Sequence, residues 1–164
     1  EDTPAYINWP GGAGKVSYGE GLFIGYRYYD AKNVPVLFPF GYGLSYTTFE
    51  YSNAQLSTTN FKDVDGLTIK VDVTNTGKLA GKEIVQVYVH DQRSELVRPA
   101  KELKGFARVS LAAGEKKTVD FTIDASTLAF WTADMKYAVE PGVFEVMVGG
   151  GLDKLAKVNL TVKD

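Results

Sequence analysis

The 164-residue chain has no cysteine, one histidine and two methionines. Without thiols there is no disulfide, thiolate metal site or cysteine nucleophile, and His90 alone cannot build the usual two- or three-histidine zinc site. No metal and no cofactor are expected. Long apolar runs are also missing: none approaches the 18 residues of a membrane span, and the acidic, Gly-rich start lacks the charged and apolar parts of a secretory signal. Neither a membrane nor a targeting role is therefore expected of these residues. Charge of one sign is scarce too. Eighteen Lys and Arg against 20 Asp and Glu leave a net charge of -2, without the strongly basic face of a nucleic-acid binder. Length sets a further limit, since a catalytic barrel needs roughly 250 residues.

What is present falls into two unlike parts. Of 21 aromatic residues, 13 lie within residues 1–51, together with eight glycines and prolines at 4, 10, 35 and 39. Such punctuation excludes long regular elements, so loops with one short helix are expected. The i, i+4, i+7 spacing of Leu22, Tyr26 and Tyr29, with Phe23 beside them, places that helix at about Glu20 to Tyr29, although Gly25 weakens it by about 1 kcal/mol.

From Thr48 onward the apolar period becomes two. Leu67, Ile69, Val71 and Val73 alternate with Thr68, Lys70, Asp72 and Thr74; Val85, Val87 and Val89 alternate with Gln86, Tyr88 and His90. The same pattern recurs at Val119 to Ile123 and Val158 to Val162. Phe49 to Ser57, Phe106 to Leu111 and Val143 to Val148 bring the count to seven strands. Turn signals separate them at Asn75-Thr76-Gly77, Ala113-Gly114-Glu115 and Pro141-Gly142. Strands with one apolar face close in pairs of antiparallel sheets, so the expected fold is all-β: an immunoglobulin-like sandwich over about 46–164, preceded by the aromatic segment 1–45. That segment lacks enough patterned apolar surface for a core of its own. Its rings must pack on the sandwich or on something absent from this chain.

The run Tyr18-Gly-Glu-Gly-Leu-Phe-Ile-Gly-Tyr-Arg-Tyr-Tyr-Asp30, followed by Leu37-Phe-Pro-Phe-Gly-Tyr-Gly-Leu-Ser-Tyr-Thr-Thr-Phe-Glu-Tyr51, resembles the junction between the second and third domains of family 3 glycoside hydrolases, chiefly β-glucosidases. Arg98-Pro-Ala-Lys-Glu-Leu-Lys-Gly-Phe106, the Ala113-Gly-Glu-Lys-Lys turn and Leu128-Ala-Phe-Trp131 resemble their C-terminal fibronectin type III-like domain. The resemblance covers essentially the whole chain. It implies a retaining β-glucoside hydrolase whose nucleophilic aspartate, in a Ser-Asp-Trp type motif, and acid/base glutamate both lie upstream. No Ser-Asp-Trp occurs here, so no catalytic residue is carried over and the chain by itself is not expected to be an enzyme. The implied partner is the catalytic portion of the parent glycosidase, and the implied location is periplasmic or secreted.

Retaining chemistry needs two carboxyls about 5 to 5.5 Å apart. Glu20, Glu83, Asp91 and Glu102 are the candidates, but most acids occupy alternating polar positions or turns. Asp63-Val64-Asp65-Gly66 lacks the ligand series of a calcium loop and reads as a turn. Gly11-Gly12-Ala13-Gly14-Lys15 lacks the spacing of a phosphate loop and reads as a flexible surface loop. The aromatic residues carry two readings. Phe23, Tyr26, Arg27, Tyr28, Tyr29, Phe38 and Phe40, with Arg98 from the later part of the chain, form an interdomain contact. Alternatively Trp9, Tyr42, Trp131 and Tyr137 form exposed platforms on which polysaccharide or lignin stacks, making the chain an adhesion module. A third reading is one piece of a split enzyme.

Overall fold

The computed structural model describes residues 3–62 and 66–163. A single 3-10 turn, Tyr6–Asn8, and α1, Tyr26–Ala31, precede the first strand. The elements that follow are β1 Phe49–Leu56, β2 Asn60–Phe61, β3 Leu67–Asn75, β4 Gly81–Asp91, β5 Glu102–Leu111, β6 Lys116–Ile123, α2 Ala125–Leu128, β7 Phe130–Trp131, β8 Tyr137–Ala138, β9 Gly142–Gly149 and β10 Leu155–Val162. One sheet has the order β1-β3-β6 and the other β2-β10-β9-β4-β5, with β7 and β8 pairing as a separate hairpin. The architecture is an all-β sandwich, and each of the seven expected strands is present. The short β2 adds a parallel pairing, Thr161 with Asn60 and Val162 with Phe61.

Alternation produces the core directly. Ile69, Val71 and Val73 of β3 are fully buried, as are Val85 and Val89 of β4, Phe144, Val146 and Val148 of β9, and Leu160 of β10, all in one cluster. Burying each such side chain contributes about 1.5–3 kcal/mol. Register in the smaller sheet runs from Leu67 opposite Ile123 to Thr74 opposite Lys116 without a break. Between β4 and β5 it shifts at Val87 and Tyr88, a bulge that re-aims the strand end carrying Glu102 and Leu103.

Three expectations are corrected. The helix starts at Tyr26, six positions later than its pattern suggests, because Gly25 stands at its N-cap with φ 51° and ψ -132°, outside helical space. Leu22 is exposed in the turns that precede it, where the Phe23 N–H donates to the Glu20 carbonyl. The Gly11 to Lys15 segment is a tight turn closed by reciprocal Gly12 and Lys15 backbone hydrogen bonds of 3.0 and 2.9 Å. Finally, Gln86 and Tyr88, on the polar phase of β4, are buried, as is Met147 opposite Tyr88. The outer face of the five-stranded sheet is covered at this point, and the cover is the aromatic segment. The turn expected at Asp63-Val64-Asp65 lies outside the described residues.

One ionisable pair bridges the sheets. Tyr51 on β1 donates its hydroxyl to Glu83 Oε1 on β4 at 3.1 Å. Burial raises the Glu83 pKa above its ordinary 4.5, against the opposing hydrogen bonds from Tyr51 and the Ile84 backbone. Burial, then the Glu83 charge, push the Tyr51 phenol up as well. A carboxyl whose folded pKa is raised binds its proton more tightly in the native state, so its contribution to stability falls as pH rises from about 4.5 through the raised value. Asp72 and Asp124 behave oppositely: hydrogen bonds to Thr118 and to Ser126, each the largest cause, hold both near a pKa of about 2, and their contribution is lost as pH falls from 3.8 toward that value. Subtracting wild type from Glu83→Gln cancels these shared effects. The expected outcome is a stability gain from Glu83→Gln that is larger at pH 7 than at pH 4, read from urea unfolding midpoints. An equal difference at both pH values would contradict this assignment.

Candidate functional site

The aromatic segment meets the sandwich through a few specific contacts. Tyr26, at the first position of α1, stacks on Phe40 with ring centroids 4.9 Å apart and meets Tyr88 edge-on at 6.1 Å. Its hydroxyl accepts the Leu103 N–H at 3.2 Å. On the next turn of the same helix, Asp30 pairs with Lys101. Beneath Phe40, the Tyr88 hydroxyl donates to Gln86 Oε1, and Gln86 Nε2 donates to the Gly150 carbonyl at 3.0 Å. The Phe40 carbonyl accepts the Leu152 N–H at 3.2 Å. Polar groups of the sheet's outer face are thereby satisfied while the rings cover them.

The other side of this segment remains open. Among the described residues, 14 of the 23 exposed large apolar side chains lie within residues 6–46, so apolar exposure is concentrated where the sandwich ends. Leu37 is 92% and Tyr46 95% accessible. A cavity of about 460 Å³ opens there, walled by Tyr26, Tyr29, Val34, Val36, Phe38 and Phe40. Phe38 packs on Tyr42 at 5.0 Å and Tyr28 on Tyr29 at 5.5 Å. Phe23 lies nearer the chain start, lining a second cavity with Tyr6, Glu20 and Tyr28. Arg27 is half-buried on α1.

Arg98 departs from its expected place. Its side chain is only 6% exposed, reaching Glu102 at 2.9 Å and Asp91 at 3.3 Å, with the guanidinium 4.5 Å above the Phe130 ring. Carboxylates on β4 and β5 draw it into the sandwich, which removes it from the outward-facing set. Burial alone would raise the Glu102 pKa, but the Arg98 hydrogen bond and the Lys104 charge, 3.2 Å away, turn the net shift downward. Two of the four candidate acids are thus tied to one arginine. Glu83 is held by Tyr51, and Glu20 accepts from Asn8 Nδ2 at 3.1 Å. No group of three or more His, Asp or Glu among the described residues is placed to hold a metal. His90 is half-buried and stands opposite Glu145 in register.

The candidate platform residues do not converge. Trp131 and Tyr137 pack on each other across the β7–β8 hairpin, 5.5 Å apart at 54°, and both remain exposed. Trp9 and Tyr42 lie in the aromatic segment, also exposed.

Comparison with known proteins fixes the family. The fibronectin type III-like domain family matches residues 83–151. Thermostable beta-glucosidase B of Acetivibrio thermocellus is 48% identical over 98% of this chain and 22% of its own length. The crystal structure of the GH3 beta-glucosidase of Bifidobacterium adolescentis superposes with a TM-score of 0.90 at 39% identity, covering 98% of this chain and 24% of that one. Beta-glucosidase of Kluyveromyces marxianus in complex with glucose gives 0.89 at 42% identity, with 98% and 20% covered. The chain carries the fibronectin type III-like domain of a family 3 glycoside hydrolase. It spans about a fifth to a quarter of the length of these relatives. Within that domain, residues 83–151 run from Glu83 on β4 to the glycine loop after β9. The aromatic segment lies before this span, yet it is matched along with the domain, since the relatives align over nearly the whole chain.

No helix among the described residues is long and apolar enough to cross a membrane. Sequence reasoning missed the roles of Gln86, Tyr88 and Met147, whose alternation phase pointed outward. The available signal was the excess of unpaired rings upstream, which needed a sheet face to cover.

Proposed function

We propose that this chain is the C-terminal, non-catalytic accessory part of a family 3 β-glucosidase and that it braces the catalytic domains during β-glucoside hydrolysis. Residues 1–45 belong, in this reading, to the end of the preceding α/β domain, and residues 46–164 form the supporting sandwich. Phe23, Tyr26, Arg27, Tyr28, Tyr29, Phe38 and Phe40 contribute to the interdomain contact. The observation that carries the proposal is the one-sided aromatic segment, anchored to the sandwich through Tyr26 and Phe40 while Leu37, Phe38, Leu44 and Tyr46 stay open. Apolar surface of that extent marks an interface. A periplasmic or secreted site of action accords with polymer degradation.

The test is deletion of the region matching residues 46–164 from an intact family 3 β-glucosidase. Its melting temperature is expected to fall by several degrees and kcat/KM on an aryl β-glucoside by tenfold or more. Unchanged values of both would contradict bracing. The isolated chain is expected to show no turnover on the same substrate, and turnover abolished by one Asp or Glu substitution within it would overturn the non-catalytic assignment.

A further inference from the structure

The stretch from Arg98 to Leu103 faces two ways. Toward the sandwich, Arg98 holds Asp91 and Glu102 and lies on Phe130. Toward the aromatic segment, Lys101 pairs with Asp30 and the Leu103 N–H donates to the Tyr26 hydroxyl. Asp30 and Tyr26 sit four positions apart, on one side of α1, so both of these polar anchors land on the same short helix. Beyond these, α1 and its following loop meet the sandwich through ring packing, the Phe40–Leu152 backbone bond and the close approach of Gly41 to Gln86 and Gly151, and ring packing tolerates sliding more readily than a hydrogen bond does.

We propose that Lys101 and Tyr26 are positioning residues that fix the angle at which the aromatic segment leaves the sandwich, with Arg98 and Glu102 holding the strand end from which Lys101 projects. The inference rests on the bracing function above and names the groups that set its geometry. Both side chains of the ion pair are about one-fifth exposed, so solvent screens the pair only in part. The Tyr26 hydroxyl satisfies the N–H of Leu103, which lies next to the bulge. Loss of that acceptor leaves a half-buried donor unpaired.

The experiment uses the 164-residue chain and measures amide hydrogen exchange across residues 26–42, with thermal unfolding of the sandwich alongside. Lys101→Met and Tyr26→Phe are each expected to speed exchange in this segment by about three- to tenfold, and the double variant by more, while the β3 and β9 amides keep their protection. The exchanged pair Asp30→Lys with Lys101→Asp is expected to recover most of the protection lost in Lys101→Met. Exchange unchanged in both single variants would overturn the proposal. So would a loss in Lys101→Met that the exchanged pair fails to restore, because a structural role for the lysine stem alone predicts that result. These readouts concern docking within the chain, so they stand or fall independently of the deletion experiment on the intact enzyme.

Discussion

Asn75→Ala is expected to destabilise the sandwich by about 3–5 kcal/mol, enough to unfold much of a marginal domain at 37 °C. Asn75 is fully buried at the end of β3 and has every polar side-chain atom in use. Its Oδ1 accepts from the Thr47 hydroxyl at 2.5 Å and from the Gly77 N–H at 3.1 Å; its Nδ2 donates to the Leu79 and Leu111 carbonyls at 2.8 and 3.1 Å. Four groups from three separate chain segments thus lose a partner at once, and each buried orphan costs about 1–3 kcal/mol, with part recovered by relaxation or entering water. The backbone of Asn75 adds hydrogen bonds to Glu115 and Gly114, so the same residue closes the β5–β6 turn. Asn75→Asp separates the donor from the acceptor contribution: it keeps the Oδ1 contacts but sets a carboxylate against two carbonyls. Both variants are expected to shift the urea midpoint strongly, Asn75→Asp more at pH 7 than at pH 4. A loss below about 1 kcal/mol in Asn75→Ala, the value of one ordinary hydrogen bond, would show that the hub is not cooperative.

The fold was legible because alternation is a local signal. Ile69, Val71 and Val73 announce a half-buried strand without reference to any partner, and Leu160 and Val162 do the same at the chain end. What escaped depended on long-range contacts. Phe61 is a core residue in a two-residue strand, too short to show any period. Tyr88 followed the polar phase correctly and still became buried, since Tyr26, 62 positions away, comes to lie on it with Phe40 packed on Tyr26 in turn. Arg98 preceded a proline in a loop, a surface setting by local rules, whereas Asp91 and Glu102 converge on it only once β4 and β5 pair. The candidate interface was legible as composition, a surplus of rings in the first third. Which rings face inward was not, because that choice is made by the sheet they cover.

Gly41→Ala carries the second large expected effect, and it falls on the junction. Gly41 has φ 89°, where a side chain is strained, and a methyl group added there would stand 2.5 Å from Gln86 Nε2 and 2.9 Å from the Gly151 Cα. Gln86 cannot swing aside freely: one end of its amide accepts from Tyr88 and the other donates to Gly150. Gly151 is backbone and cannot yield by rotation. Strain of about 1–3 kcal/mol from the backbone adds to an overlap of similar size, more than the Phe40–Leu152 hydrogen bond and the Tyr26–Phe40 stack can offset. The expected result is release of the loop around Phe38 to Tyr42 from the sheet while the valine-rich core stays folded. Chymotrypsin should then cut after Phe40 or Tyr42 at least tenfold faster than in the unaltered chain. Gly43→Ala supplies the control, because nothing stands within 4 Å of its added carbon. Equal cleavage rates in both variants would mean that the close approach at Gly41 does not hold the aromatic segment, and that its docking depends on the rings and on the polar anchors at Tyr26 and Asp30.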